Sequence, residues 1–406
     1  MGFDIALSGI QAINEQLDTI SNNVANSGTY GFKSGRSNFA ALYSGNQVNG
    51  TEVESTSQSM SLGGGILNTG DGLNASINGA GFFVSKDAQG QTTFSRVGIF
   101  TKDVNGQIVD ANGNAVQGYG VVTNADGTVV PGALGALGNL TVPTGQIPAV
   151  ASTTVDYVGN LSADWTVPVN SGAFSPSDPT SYNTLKVSTA YDSLGTSHTV
   201  TQYFTKTGTN AVQINYVVDG APGAPAATAN LLFNPDGSLD TADGPSSQDV
   251  IIPAAGANAL TVNFDYTGTT QFAGAFTTAT NQADGNPAGN FVSVALDNTG
   301  SLVATYSNGQ SQSVGTLAIA TFADQDALTA VSGTSWTANA LSGSANLQAP
   351  GVGQAGAITT GQLEQSNVDI TTELVNLMTA QRNYQANSKV ITTESDTLQS
   401  LMQAIQ

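Results

Sequence analysis

His198, in the run Ser-His-Thr-Val, is the sole histidine of the sequence, and there is no cysteine. One imidazole does not make a histidine-based metal site, and no Gly-x-Ser-x-Gly elbow offers it a serine to activate. A catalytic triad needs three roles filled, and here only one is. His198 is therefore read as a strand residue without catalytic work. Gly351-Val-Gly-Gln-Ala-Gly356 matches the dinucleotide fingerprint as a string, but it follows Pro350 and precedes a polar stretch where a strand-to-helix turn is required. Asp110-Ala-Asn-Gly-Asn114 opens like a calcium loop, yet Ala115 stands where glycine is needed and Val121 where a bidentate Glu belongs. A hairpin turn accounts for it better. Asp324 with Asp326, or Asp240 with Asp243, could supply the two carboxyls of a glycosidase. With 29 acids in the chain, they read as solvated loop residues. The expectation is no enzyme, no cofactor and no metal.

Charge narrows the partners. The 29 acids face 9 bases for a net charge of -20, and no basic residue occurs between Lys206 and Arg382. Nucleic acid and anionic membranes are poor partners for such a chain. No apolar run reaches the roughly twenty residues of a membrane span, so no membrane insertion is expected. The N-terminus has neither a basic n-region nor an uninterrupted apolar core, so it does not read as a cleavable signal. The chain is read as cytoplasmic, or exported by a route that needs no such signal. Lacking cysteine, it has no disulfides and is held by packing.

With little chemistry to position, the strongest pattern lies in the terminal elements. Ile370, Leu374, Leu377, Gln381, Tyr384, Ser388, Ile391, Ser395, Leu398, Met402 and Ile405 step by four and three, a heptad seam with three polar interruptions. No proline or glycine breaks the stretch from Ser366 to Gln406, which predicts a helix roughly 58 Å long. Ser366 or Asn367 is expected to cap it, with Asp369 in its first turn. Phe3, Ala6, Ile10, Ile13, Leu17, Ile20 and Val24 give a matching seam at the other end of the chain. Val368, Val375, Met378, Ala380, Ala386 and Val390 widen the second stripe beyond one seam, which suggests more than one neighbour. Spacing alone leaves two readings open, a two-helix stalk within one molecule and a self-assembling interface.

The run Ile20-Ser-Asn-Asn-Val-Ala-Asn-Ser-Gly-Thr-Tyr-Gly-Phe-Lys33, continued by Arg36, Phe39 and Tyr43, resembles the N-terminal signature of bacterial flagellar rod and hook proteins. Glu364-Gln-Ser-Asn-Val-Asp-Ile370 and Glu373-Leu-Val-Asn-Leu-Met-Thr-Ala-Gln-Arg-Asn-Tyr-Gln-Ala-Asn387 resemble the matching C-terminal signature. The residues carrying the likeness include Asn22, Asn23, Asn26, Gly31, Phe32, Lys33, Asn367, Gln381, Arg382, Asn383 and Tyr384. The chain's length and a second inserted β domain favour the longer, hook-type members. The resemblance implies a structural subunit that polymerises into a curved, flexible tube carrying motor torque to the filament. It implies export unfolded through the flagellar type III apparatus to an extracellular position. Its implied partners are further copies of itself, the distal rod protein, the hook cap and the hook-filament junction proteins. A distal rod or other axial protein, a secreted stalk or adhesin, and a carbohydrate-active β protein are the competing readings.

The expected fold is mainly β with α-helical termini, in nested discontinuous domains. Residues 1–27 and 366–406 form a coiled-coil-like inner domain, and 28–72 with 357–365 form an extended linker rich in glycine. Residues 73–147 and 288–356 form a middle antiparallel β domain, with Asn78-Gly79, Asn105-Gly106 and Asn112-Gly113 as hairpin turns. Residues 148–287 form an outer β sandwich or barrel, in which Val212, Ile214, Tyr216 and Val218 alternate cleanly.

Overall fold

The computed structural model describes residues 2–405 except 45, 46, 125–128, 222, 223 and 255, together with the side chains of those residues other than 2, 44, 47, 48 and 131. The chain divides into two units, Met1–Thr144 with Ser293–Thr305 and Ser311–Gln406, and Gly145–Val292 with Tyr306–Gln310.

The first unit holds both helices, α1 (Gly2–Ala25) and α2 (Ile370–Ala404). Its outgoing and returning legs are zipped together. Strand Ile66–Asn68 pairs antiparallel with Gln362–Glu364, and Ala75–Asn78 with Ala357–Thr360. The legs then interleave in one sheet, where Phe83 pairs with both Ser95 and Ile319, and Phe94 with Trp336. Side chains from both legs, including Phe82, Val84, Phe94, Ala320 and Trp336, share one core. Neither leg can bury its apolar face without the other, which makes this β layer a single cooperative object.

Residues 35–58 depart from the expected linker. They form a long antiparallel hairpin, Gly35–Ser44 with Gln47–Gln58, whose register runs from Gly35 opposite Gln58 to Ser44 opposite Gln47. It lies along α1. The Ser8 hydroxyl accepts from the Thr51 amide at 3.2 Å, and the Thr19 and Ser37 hydroxyls are 2.9 Å apart. Asn78-Gly79 is also not a hairpin turn, because Ala75–Asn78 pairs with the returning leg and not with the strand Phe82–Lys86 that follows it.

The second unit is a sandwich of two four-stranded sheets. One runs Ser247–Ile252, Leu260–Asp265, Thr154–Asn160, Thr277–Ala283, and the other Thr184–Tyr191, Ser197–Gly208, Ala211–Val218, Ala227–Leu232. One ladder is parallel, with Val155 opposite Phe264. Alternate residues point inward and bury Tyr157, Phe204, Ile214, Tyr216, Val262, Phe264 and Tyr266 in a common core.

One turn recurs across both units. In Asp87-Ala-Gln-Gly-Gln91, Asp103-Val-Asn-Gly-Gln107, Asp110-Ala-Asn-Gly-Asn114, Asp192-Ser-Leu-Gly-Thr196 and Asp297-Asn-Thr-Gly-Ser301, one carboxylate oxygen accepts from the amides two and four residues on, at 2.7–3.0 Å. Glycine in the fourth place of each takes a positive φ of 75–86°. Asp110, the would-be calcium ligand, is thus occupied in closing its own turn.

Candidate functional site: the terminal helices and their buried anchor

The two helices meet through a short apolar contact. Ile13, Ile20 and Ala380 are buried at its centre, with Leu17, Val24 and Leu377 packed around them. Near its other end the α1 backbone at Gly9 is so close to Asn387 that a Cβ would lie 3.0 Å from that amide nitrogen. The contact follows the α1 seam but touches the α2 heptad only partly, through Leu377, while its buried α2 residue, Ala380, lies outside the predicted seam.

Most of the predicted seam on α2 is therefore free. Ile370, Leu374, Tyr384, Leu398, Met402 and Ile405 are exposed, and Leu377 and Ile391 are half-buried. On α1, Phe3 is exposed, Ile10, Leu17 and Val24 are half-buried, and Ile13 and Ile20 are buried. Gln381, Arg382, Asn383 and Asn22 lie at the surface.

The start of α2 differs from expectation. Its N-cap is Asp369, whose carboxylate accepts from the Thr371 and Thr372 amides. Ser366 and Asn367 are occupied elsewhere. Ser366 accepts from the Val368 amide, while Asn367 reaches back to the outgoing leg. Its side-chain oxygen takes the Ser34 amide at 2.7 Å, and its NH2 donates to the Ser59 and Leu62 carbonyls.

Asn23 performs the same service from α1. Buried, it accepts from the Gly35 amide at 2.8 Å, donates to the Gly35 carbonyl at 2.8 Å, and donates to Glu373 of α2 at 3.1 Å. One amide side chain thus ties the hairpin to both helices. Asn26 is used locally, donating to Asn22.

Beneath the helices lies a buried ionic anchor. Lys33, 1 % exposed, donates to Glu364 at 2.7 Å and to the Leu62 carbonyl at 2.7 Å. The Arg96 guanidinium lies 3.4 Å from the other Glu364 oxygen, donates to the Gly79 carbonyl at 2.8 Å, and stacks 5.3 Å from the centre of the Phe82 ring. Burial pulls the Lys33 ammonium below its ordinary pKa, an effect that Glu364 offsets only in part. Burial lowers Arg96 likewise. The Glu364 backbone carbonyl also accepts from the Gly31 amide at 2.8 Å. Gly31 takes φ +66°, and a Cβ there would stand 2.9 Å from the Val97 nitrogen. Phe32 is half-buried beside it, and its carbonyl accepts from the Asn367 amide. Arg96 and Glu364 escaped the sequence reading as site residues, because nothing in their local spacing shows that they share a cluster.

This arrangement can hold two chain termini together, but it offers no reaction chemistry. Among the described residues, no three His, Cys, Asp or Glu side chains are placed to hold a metal ion. Among the same residues, no helix is long and apolar enough to cross a membrane.

Comparison with known proteins agrees with this geometry. Residues 3–33 match the flagella basal body rod protein model, 76–163 the flagellar hook protein FlgE/F/G D1 domain, 160–286 the flagellar basal body protein FlaE D2 domain, and 359–404 the flagellar basal body rod FlgEFG protein C-terminal model. The chain is 37% identical over 406 residues to the flagellar hook protein FlgE of Salmonella typhimurium, covering 99% of each. It is 32% identical over 391 residues to that of Brucella abortus, covering 95% of this chain and 94% of the relative. The crystal structure of Helicobacter pylori flagellar hook protein FlgE2 shares its fold, with a TM-score of 0.54 at 13% identity over 74% of this chain and 100% of that one. The chain belongs to the flagellar hook protein family.

Proposed function

We propose that the chain polymerises through its two terminal helices into the tube of the flagellar hook, as a structural subunit and not an enzyme. The observation that carries this reading is the state of α2. It is 35 residues long, and Ala380 is its buried residue. Leu374, Val375, Met378, Val390, Leu398, Leu401 and Met402 are each 47–66 % exposed. An apolar stripe of that extent is costly in water. Covering it with helices from neighbouring copies would contribute about 25 cal/mol per Å² of apolar surface. Arg382 and Lys389 are the basic residues of α2, so few ion pairs fix one alignment, and neighbours can slide as a bending tube requires.

In this reading residues 1–27 and 366–406 form the inner tube, 73–147 and 288–356 the middle layer, and 148–287 the outer layer. Family membership supports export through the flagellar type III apparatus to an extracellular hook. It also supports end contacts with the distal rod, the hook cap and the hook-filament junction proteins. The test is a Leu374→Asp, Leu398→Asp double variant of the full chain in concentrated sulfate, which strengthens apolar burial. Both side chains are exposed, so the subunit should keep its circular dichroism while losing sedimentable polymer. Polymer yield equal to that of the parent would overturn the helix-driven reading.

A further inference from the structure

The second unit holds its one histidine between two carboxylates. His198, 7 % exposed, lies on strand Ser197–Gly208 opposite Ala190. Its Nδ1 is hydrogen-bonded to Asp219 Oδ2 at 2.8 Å, while its Nε2, buried and without a hydrogen-bond partner among the described residues, lies 3.5 Å from Asp192 Oδ2. Each carboxylate divides its oxygens between the ring and backbone amides, those of its own turn for Asp192 and that of strand residue Thr199 for Asp219. Asp192 Oδ1 closes its own turn on the Leu194 and Thr196 amides. Asp219 Oδ1 accepts from the Thr199 amide at 2.8 Å, and Asp219 itself sits at φ +48°, where a non-glycine residue needs outside support.

An ionised carboxylate only accepts hydrogen bonds. A neutral imidazole has one N–H and one bare lone pair, so one of these two aspartates would face a lone pair. The imidazolium has an N–H for each, a hydrogen bond to Asp219 and a charge contact with Asp192 that a small ring shift would tighten. We propose that His198 is a proton-operated clamp, charged when it ties the Asp192 and Asp219 turns together and releasing one of them when it loses its proton. The site would make the local rigidity of the second unit respond to the pH of its surroundings.

The directions of titration agree. The Asp219 hydrogen bond outweighs burial and raises the His198 pKa above its ordinary value, and Asp192 adds to this. Asp192 and Asp219 are the charged groups that act on the ring. Burial pushes both carboxyls up, but the ring and the backbone amides they accept from outweigh it and hold them low. A raised histidine pKa gives stabilisation that is complete below the unfolded value, about 6.5, and lost as pH rises through the folded one. The two lowered aspartates give stabilisation that is lost as pH falls through their folded values. The clamp therefore holds in the window between.

Because the chain has one histidine, its ring signals in nuclear magnetic resonance of the full-length subunit need no assignment. The expected result is a titration midpoint above about 6.5, with both ring nitrogens protonated below that midpoint. Above that midpoint, the Thr199 and Leu194 amides should lose exchange protection several-fold, after correction for intrinsic rates. Asp219→Asn should move the midpoint down. A midpoint at or below the ordinary value, or protection unchanged across the titration, would overturn the clamp.

Discussion

Lys33 Nζ and Glu364 Oε1 stand 2.7 Å apart although 331 positions separate them in the chain. The pair joins the exit of α1 to the approach of α2. Glu364 also faces Arg96, so one carboxylate serves two buried cations. A buried ion pair adds little over a well-packed apolar replacement, but removing one partner leaves an unmatched charge.

Glu364→Gln keeps the shape and the acceptor oxygen while removing the only negative charge among these three groups. We expect it to cost about 3 to 5 kcal/mol, the usual range for breaking a buried pair. Denaturant unfolding of the subunit checks this. A loss under about 1 kcal/mol, typical of exposed pairs, would show that the anchor is not buried in solution.

Gly31→Ala should destabilise the same region by about 1 to 3 kcal/mol, because it adds left-handed strain to a close backbone contact. Gly31→Asn should be no better, although asparagine tolerates positive φ, since the contact at Val97 is made by Cβ itself. Gly113 is the control. It takes φ +82° with nothing within 4 Å of a built Cβ, so Gly113→Asn should be mild. Melting temperatures of the three variants separate space from strain.

The Asp369 carboxyl is held below its ordinary value by the Thr372 and Thr371 amides that it caps. A lowered carboxyl pKa contributes above the unfolded value of 3.8 and is lost as pH falls through the folded one. Helicity at the start of α2 should therefore decline as acid protonates the cap. Asp369→Asn keeps the cap and should remove that pH dependence, read from amide exchange at Thr371 and Thr372.

The terminal helices were legible because 3.6-residue periodicity is local, and the paired strands of the second unit because their alternation is. What escaped was set by distant partners. Residues 35–58 lack a clean apolar alternation, and their hairpin is stabilised by lying on α1, through Asn23, Thr19 and Ser8. Sequence offered Ser366 or Asn367 as the cap and put Asp369 inside the first turn. Asn367 was claimed by Ser34 and Ser59, residues some three hundred positions away, which left Asp369 for the helix. The Asn-Gly pairs were correctly read as turns at 105 and 112. At 78 the same dipeptide failed because the returning strand Ala357–Thr360 took the pairing edge.

Assembly through α2 is tested most directly by an electron cryomicroscopy map of the polymer grown from the full chain. In that map α2 should lie at the smallest radius, with Leu374, Leu398 and Met402 covered by helices of neighbouring subunits. A polymer in which those three side chains face solvent, with subunits joined only through their β layers, would contradict assembly through α2.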